Sequence, residues 1–190
     1  MKRRLLPILM TLVLVCALPI WAAFVTSGDV TNPLVCTAGA SSPEPVAVNN
    51  AADLKSNIDA GKSVKLTDNI PITETLEIAK SLTLDLNGHV LKMTGDGSVL
   101  RVKKGPHPAT LTITDSSAAK SGTITGGNAE DGDGGGVCVE AYATLEMTGG
   151  CITGCRAEDG GGVYIDNNAT LKMTGGCITD CHAIYGGGIY

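Results

Sequence analysis

A period of 26 residues, short apolar alternations and recurring glycine triplets predict an all-β chain that forms a right-handed parallel β-helix, a solenoid of about 26-residue rungs. The triplet at 134–136 recurs at 160–162 and again at 186–188, each time followed by Val or Ile. The segment 143–155 returns almost unchanged as 169–181. Each unit of such a solenoid buries its apolar face only against its neighbours, so the units stack into one continuous core.

Within a repeat, apolar and polar residues alternate, as they do in residues 137–139 and 145–147. A period of two is typical of strands with one buried face. The runs are short and are separated by Gly-Gly or Asn-Asn, which allow tight bends. We therefore expect three short strands per turn, around Val137, Met147 and Ile152. A leucine-rich repeat would need a Leu ladder with Asn, and a propeller blade is longer than this period.

Stacking of equivalent positions predicts columns of side chains that run along the solenoid. One outward column places Glu146 next to Lys172, a pair of opposite charges that favours the correct register. The expected inward columns are Ile113, Met147 and Met173; Ile124, Ile152 and Ile178; and Val102, Val139 and Ile165.

Residues 1–22 are typical of a secretory signal peptide. Three basic residues precede a long apolar run, and the small residues Ala22 and Ala23 follow it, with cleavage expected after Ala22. A retained membrane anchor is the alternative, because the run is about long enough to span a bilayer. Pro7 and Pro19 within the run favour the signal peptide. We expect a secreted or cell-surface protein that meets a membrane only during export.

The rest of the chain divides into a linker and a solenoid. Residues 23–49 contain Ser, Pro and Thr without periodicity and predict a flexible linker. Residues 50–190 predict the β-helix, whose rungs occupy 63–190. The chain stops at Tyr190 within the first strand of a new rung. We expect either a fragment truncated at its C-terminus or self-association through the open last rung.

A short helix is expected at the start of the solenoid, in residues 50–61. Asn50 is suited to cap its N-terminus, Leu54 and Ile58 share one face, and Gly61 is suited to end it. Such a helix covers the open end of the first rung, where apolar core and unpaired strand edges would otherwise be exposed.

The charge of the chain disfavours nucleic acid as a partner. Removal of the signal peptide leaves 14 − 3 = 11 Lys and Arg against 19 Asp and Glu, a net charge of about −8. Binding to a phosphate backbone requires the opposite sign.

Several short motifs carry a resemblance to known β-helix families. Gly-Gly-Val at 161–163 and the preceding Ile-Thr-Gly-Cys at 152–155 resemble the paired Gly-Gly-Ala-Ile and Phe-x-x-Asn motifs of chlamydial polymorphic membrane proteins and adhesin-like β-helix proteins. Ile152 and Cys155 stand where that family has Phe and Asn. The run 82–89 is similar to the opening rung of many pectate-lyase-like (pectin lyase-like) β-helices. The resemblance spans residues 50–190 and implies a secreted bacterial right-handed β-helix.

Four cysteines repeat with the same spacing, because Cys151 and Cys155 of one rung correspond to Cys177 and Cys181 of the next. Stacked free thiols are favoured, since Cys packs as a small hydrophobe. A cross-rung disulfide is the second arrangement, because a rung spacing of about 4.8 Å falls within the Cα separations that disulfides allow. Zinc is the third, although the equivalence of the two pairs favours stacking over a metal site.

No metal, cofactor or catalytic residue is predicted from the other polar residues. Asp131 and Asp133 lie in a Gly-rich turn without the repeat or the distal Glu of calcium loops, which favours a solvated turn. His89, His107 and His182 lie on different rungs or in loops, without a nucleophile at definable reach.

An enzyme is the main alternative, because many β-helices cleave acidic polysaccharides with paired Asp or with an Arg or Lys base. Arg101 and Lys103 project outward from one strand. Asp85 and Asp115 are scattered, and no strand carries an Asp-Asp pair. The enzyme hypothesis therefore makes this chain the N-terminal part of a polysaccharide lyase or glycoside hydrolase, with the active site beyond Tyr190.

The sequence favours an adhesin-like binding scaffold without catalysis in the region shown. Outward Tyr164 and Tyr190 fall in one column, and they are either a binding strip for a glycan or a host or cell-surface protein, or ordinary exposed aromatics. A purely structural surface spacer is the third interpretation.

Overall fold

The computed structural model describes residues 44–190, which are mainly β with one short helix. The predicted signal peptide and most of the predicted linker lie outside the described residues. Within residues 44–190, no helix combines the length and the apolar character needed to cross a membrane. The elements are β1 Val46–Val48, α1 Ala51–Ala60, β2 Val64–Leu66, β3 Ile70–Ile72, β4 Leu76–Ile78, β5 Leu82–Asp85, β6 Val90–Met93, β7 Leu100–Val102, β8 Thr110–Thr114, β9 Thr123–Thr125, β10 Asn128–Asp133, β11 Val137–Val139, β12 Thr144–Thr153, β13 Arg156–Asp159, β14 Val163–Ile165, β15 Thr170–Thr179 and β16 His182–Tyr185.

Three all-parallel sheets receive the strands in turn as the chain advances, an arrangement consistent with a parallel β-helix. The first sheet has nine strands in the order β1-β2-β5-β8-β12-β9-β6-β3, with β15 also pairing to β12. The second sheet has four strands in the order β14-β11-β7-β4, and the third has β10, β13 and β16. Because the first sheet doubles back through the long strand β12, it supplies two neighbouring faces of the solenoid.

The rungs differ in length, and the interval of 26 residues holds for the late repeats but not for the earlier rungs. Cys151 and Cys177 are paired at a separation of 26 residues, as predicted for the late repeats. Earlier rungs are shorter where Val64 pairs with Leu84, and longer where Leu82 pairs with Leu111. The loop 103–109 lies within this longer interval, and the loop 115–122 lengthens the interval between the paired residues Leu91 and Ile124, as expected for surface insertions in a solenoid.

The strand pattern within a late repeat also differs from the predicted three strands. The strands expected around Met147 and Ile152 are one strand, β12, whose register shifts at residues 147–151, where the glycine pair lies. Sequence analysis missed β13 and its neighbours in the third sheet. Their residues are mostly polar, and in β13 only Ala157 is buried, so the alternation of a strand is almost invisible there.

The predicted inward columns are confirmed by the register of the strands. Met147 pairs with Ile113 and Met173. Ile152 pairs with Ile124 and Ile178, and Val139 with Val102 and Ile165. The central member of each column is fully buried. Met173 is 41 % exposed, because its rung has a neighbour on one side only in the described structure.

The predicted helix is confirmed, and its caps are those expected from the sequence. Asn50 accepts a hydrogen bond from the N–H of Asp53 at 2.9 Å, and Gly61 adopts the left-handed conformation with φ 75°. Leu54 and Ile58 are buried against the first rung. Just before the helix, β1 pairs with β2, so the stretch predicted as linker already joins the first sheet at Val46.

Replacing Asn50 by Ala is expected to lower the free energy of unfolding by about 1 kcal/mol, because the N–H of Asp53 loses its acceptor at the helix N-terminus. Urea denaturation measures the change. Asn167→Ala is the matched control, since that exposed side chain bonds only to the neighbouring Asp166. Equal midpoints for the two variants would show that the cap contributes nothing.

Candidate binding face

A column of outward side chains runs along the second sheet. Its members are Glu77, Arg101, Cys138 and Tyr164, at the centres of β4, β7, β11 and β14. Tyr190 follows, and its ring stacks on that of Tyr164 with centroids 5.8 Å apart and planes 10° from parallel. This is the column that sequence analysis predicted for the two tyrosines.

Tyr185, in the third sheet, places a third ring beside that of Tyr190. Its ring centroid lies 6.4 Å from that of Tyr190, at an angle of 52°. Tyr185 is 59 % exposed and Tyr190 is 54 % exposed, whereas Tyr164 is half-buried. We refer to Tyr164, Tyr185 and Tyr190 as the tyrosine cluster.

Arg101 of this column and Lys103, which follows β7, are held in ion pairs. Lys103 Nζ lies 3.0 Å from Glu140 Oε1 and 3.5 Å from Glu77 Oε1, and Arg101 lies 3.9 Å from Glu140. The hydrogen bond with Glu140 raises the pKa of Lys103, with further help from the charges of Glu140 and Glu77. Lys103 therefore stays protonated at neutral pH and is unsuited to act as a base.

A cleft of about 430 Å³ lies beside Arg101, between the turn 96–98 and β10. Within its lining, the side chain of Asn128 donates to Asp96 Oδ1 at 3.3 Å, and the hydroxyl of Ser98 donates to the carbonyl oxygen of Asp133 at 3.0 Å. The side chains of Glu130 and Asp131 also line the cleft. Its lining is therefore rich in oxygen acceptors, with Arg101 as the one guanidinium.

Asp133, which lines the cleft, has a carboxylate as its neighbour on the next rung. Asp133 is the register partner of Asp159, and the next position in the third sheet is Tyr185. Burial raises the pKa of Asp133, as do the charges of Asp159 and Asp166, while Arg101 opposes the rise. Among the described residues, Asp159 Oδ1 is a buried oxygen without a hydrogen-bond partner.

Sequence analysis missed the pair of Asp133 and Asp159 because it looked for two Asp residues on one strand. The available signal was their equivalence, since each Asp immediately precedes a glycine triplet, at residues 134–136 and 160–162. In a solenoid, equivalent positions in consecutive repeats become neighbours.

The cysteines stack in register, as predicted, but one pair is bonded. Cys151 and Cys177 form a disulfide with their Cα atoms 4.5 Å apart, where free thiols were favoured from the sequence. Cys155 and Cys181 remain free. Cys138 is also free, and burial raises the pKa of its thiol to about 11. In residues 44–190, no three His, Cys, Asp or Glu side chains are grouped so that they could hold a metal ion.

Asp115, one of the two scattered carboxylates noted in the sequence, is a buried structural carboxylate. Its Oδ1 accepts from the N–H groups of Gly88 and Ser117 at 2.9 and 3.0 Å, and its Oδ2 accepts from Gly122 at 2.6 Å. Asp85 acts similarly, because its Oδ1 accepts from two backbone N–H groups. Both carboxylates hold the loops at a corner of the solenoid.

The three histidines remain apart, because His89 lies before β6, His107 in the loop after β7 and His182 at the start of β16. The described residues therefore define a parallel β-solenoid with an outer face that combines tyrosines and carboxylates. No protein-family model matches the chain, and neither a curated protein nor a solved structure matches it.

Proposed function

We propose that the chain is an exported right-handed parallel β-helix that acts as an adhesin-like binding scaffold, secreted or held at the cell surface. Its ligand in this proposal is a glycan, which binds at the tyrosine cluster and the adjacent cleft. The pectate-lyase-like fold and the likeness to polymorphic membrane protein repeats belong to the same proposal. The observation that supports it is the outward tyrosine cluster beside the carboxylates of Asp133 and Asp159.

The chemistry of this face suits sugar hydroxyl groups. Carboxylates accept hydrogen bonds, and tyrosine combines an apolar ring with a hydroxyl group that donates and accepts. Tyr164 and Tyr190 cover part of each other's faces, so the tilted ring of Tyr185 is the better platform for a sugar ring. The parallel strands hold these groups at fixed spacing, which reduces the entropy lost on binding.

Replacing Tyr185 and Tyr190 together by Ala is expected to weaken glycan binding about tenfold or more, because exposed aromatic anchors carry much of the energy of an interface. A glycan array identifies the ligand, and calorimetry measures its affinity. Tyr142→Ala is the matched control, since Tyr142 is 54 % exposed but packs under Lys104, away from the cluster. Unchanged affinity in the double variant would refute the proposed site, and binding only to cell-surface proteins would refute the choice of a glycan.

A second candidate is part of a polysaccharide-cleaving enzyme, favoured by the pair of Asp133 and Asp159 on adjacent rungs. Two carboxylates flanking one bond are the arrangement that glycoside hydrolysis requires. Release of reducing ends from acidic polysaccharides, lost in Asp133→Asn, would support a hydrolase. A lyase that used Lys103 as its base is disfavoured by the ion pairs that keep this side chain protonated. Absence of both binding and cleavage would favour the structural spacer.

A further inference from the structure

The two free thiols of the late repeats lie one above the other. Cys155 and Cys181 occupy equivalent positions, and the N–H of His182 donates to the carbonyl oxygen of Cys155 at 2.9 Å, which joins their rungs at this point. Both side chains take the same direction. The thiol of Cys155 lies 3.5 Å from the carbonyl oxygen of Thr153, and that of Cys181 lies 3.3 Å from the oxygen of Thr179.

The thiol of Cys181 also reaches toward the preceding rung. Its Sγ lies 3.9 Å from the carbonyl oxygen of Ile152, three residues before Cys155 in that rung. The neighbouring pair shows that the stacking distance suits a bond, because Cys151 and Cys177 are joined with a Cα separation of 4.5 Å. Disulfides accept Cα separations of about 4.4 to 6.8 Å, which includes the spacing of adjacent parallel strands.

We propose that Cys155 and Cys181 are a second cross-rung disulfide site, which closes by exchange with a small-molecule disulfide such as oxidised glutathione. Together with Cys151–Cys177, it forms a ladder of two covalent links between the same two rungs. The first link joins β12 to β15, and the second joins the turns that follow these two strands, so the two rungs become one covalent unit.

The exchange proceeds in two steps. The thiolate of Cys181 attacks one sulfur of the glutathione disulfide, so that the S–S bond breaks and one glutathione thiolate leaves. The thiolate of Cys155 then attacks Cys181 Sγ in the mixed disulfide, and the second glutathione thiolate leaves. Two protein thiols are oxidised, one glutathione disulfide is reduced to two thiols, and these take up the two protons that the cysteines lose.

Exposure sets the order of these steps. Cys181 is partly exposed and can meet the small disulfide, whereas Cys155 is fully buried and can react only with a sulfur that is already beside it. Burial also raises the pKa of the Cys155 thiol to about 11, so the closing step is the slower one. Cys138 lies between Arg101 and Tyr164 in its column, without a thiol neighbour there, and it is expected to stay reduced.

Trypsin provides a direct test, because Arg156 and Lys172 separate the two cysteines. In the variant C138S/C151S/C177S, Cys155 is the one cysteine of the tryptic peptide 121–156, and Cys181 is the one cysteine of the peptide 173–190. The cysteines at 16 and 36 fall in another peptide. After incubation with glutathione disulfide and digestion without reductant, mass spectrometry is expected to find these two peptides joined, with loss of iodoacetamide labelling at both cysteines.

Two outcomes would overturn the proposal. One is glutathione retained on Cys181 with Cys155 still open to labelling after denaturation, and the other is the absence of any joined peptide while circular dichroism shows the β fold intact. If the variant does not fold, the same test is made on the wild-type protein, by identifying which cysteines react with iodoacetamide before and after oxidation. Loss of labelling at both Cys155 and Cys181 on oxidation, with Cys138 still labelled, supports the second link, and labelling retained at both refutes it.

Discussion

Replacing Gly135 by Ala is expected to lower the free energy of unfolding by about 3 kcal/mol. A Cβ atom at this position would overlap the carbonyl oxygen of Arg156 and lie 2.6 Å from that of Gly161. Both oxygens belong to the backbone of the following rung. The ladder fixes that rung in place, since the N–H of Gly136 donates to Gly161 at 3.2 Å. A side-chain rotation therefore cannot relieve the clash, and the two rungs must separate.

Gly132→Ala is the matched control for this variant. No atom lies within 4 Å of a Cβ added at Gly132, and the backbone there does not have a positive φ. Its expected effect is within about 0.5 kcal/mol. Guanidinium chloride denaturation of the two variants separates a clash between rungs from a general preference for glycine. Equal losses in the two variants would contradict the close approach at Gly135.

Replacing Asp115 by Asn is expected to cost about 3 kcal/mol at neutral pH, because hydrogen bonds to an ionised acceptor are stronger than those to a neutral one. Asn keeps only one carboxamide oxygen, so its N–H₂ group must face either the N–H of Gly122 or the N–H groups of Gly88 and Ser117. Asp59→Asn, on the exposed side of α1, is the control and is expected to change stability by less than about 0.5 kcal/mol.

The same variant gives a pH dependence of defined sign. Burial raises the pKa of Asp115, but the hydrogen bonds from Ser117, Gly122 and Gly88 outweigh it, so that the pKa lies below its ordinary value of 3.8. A carboxylate with a lowered pKa contributes stability above its unfolded pKa and loses it as the pH falls through the folded one. The difference between wild type and Asp115→Asn is therefore expected to shrink below about pH 4. A difference that stays constant down to pH 2 would refute the charged hydrogen bonds.

The inward columns could be predicted from the sequence because buried apolar residues recur there at regular intervals. Ile124, Ile152 and Ile178 are the same residue at equivalent places, and a period of two fixes which face is buried. The helix was predictable for a similar reason, since Asn50 and Gly61 mark its ends. In both cases a local rule that can be read from the sequence specifies the structure.

The outer face was less predictable, because its chemistry depends on neighbours across rungs. Stacking of Tyr164 on Tyr190 followed from the repeat, but Tyr185 joins them only because the third sheet exists, and its polar strands carry almost no alternation. The pair of Asp133 and Asp159 was missed because its two members lie on neighbouring rungs and not on one strand. The oxidation state of Cys151 and Cys177 could not be predicted from the sequence, because stacking brings the two thiols together whether or not they are oxidised.

The two late repeats carry opposite charges at the paired positions 146 and 172, which limits how the gene can gain further repeats. Copying one repeat in frame would place Lys172 beside a second Lys and give the column of Cys151 and Cys177 an odd cysteine. Copying two repeats together would preserve both the alternation of Glu146 with Lys172 and the pairing of cysteines. For the late repeats, two rungs and not one are therefore the smallest unit that recombination can add without a mismatch.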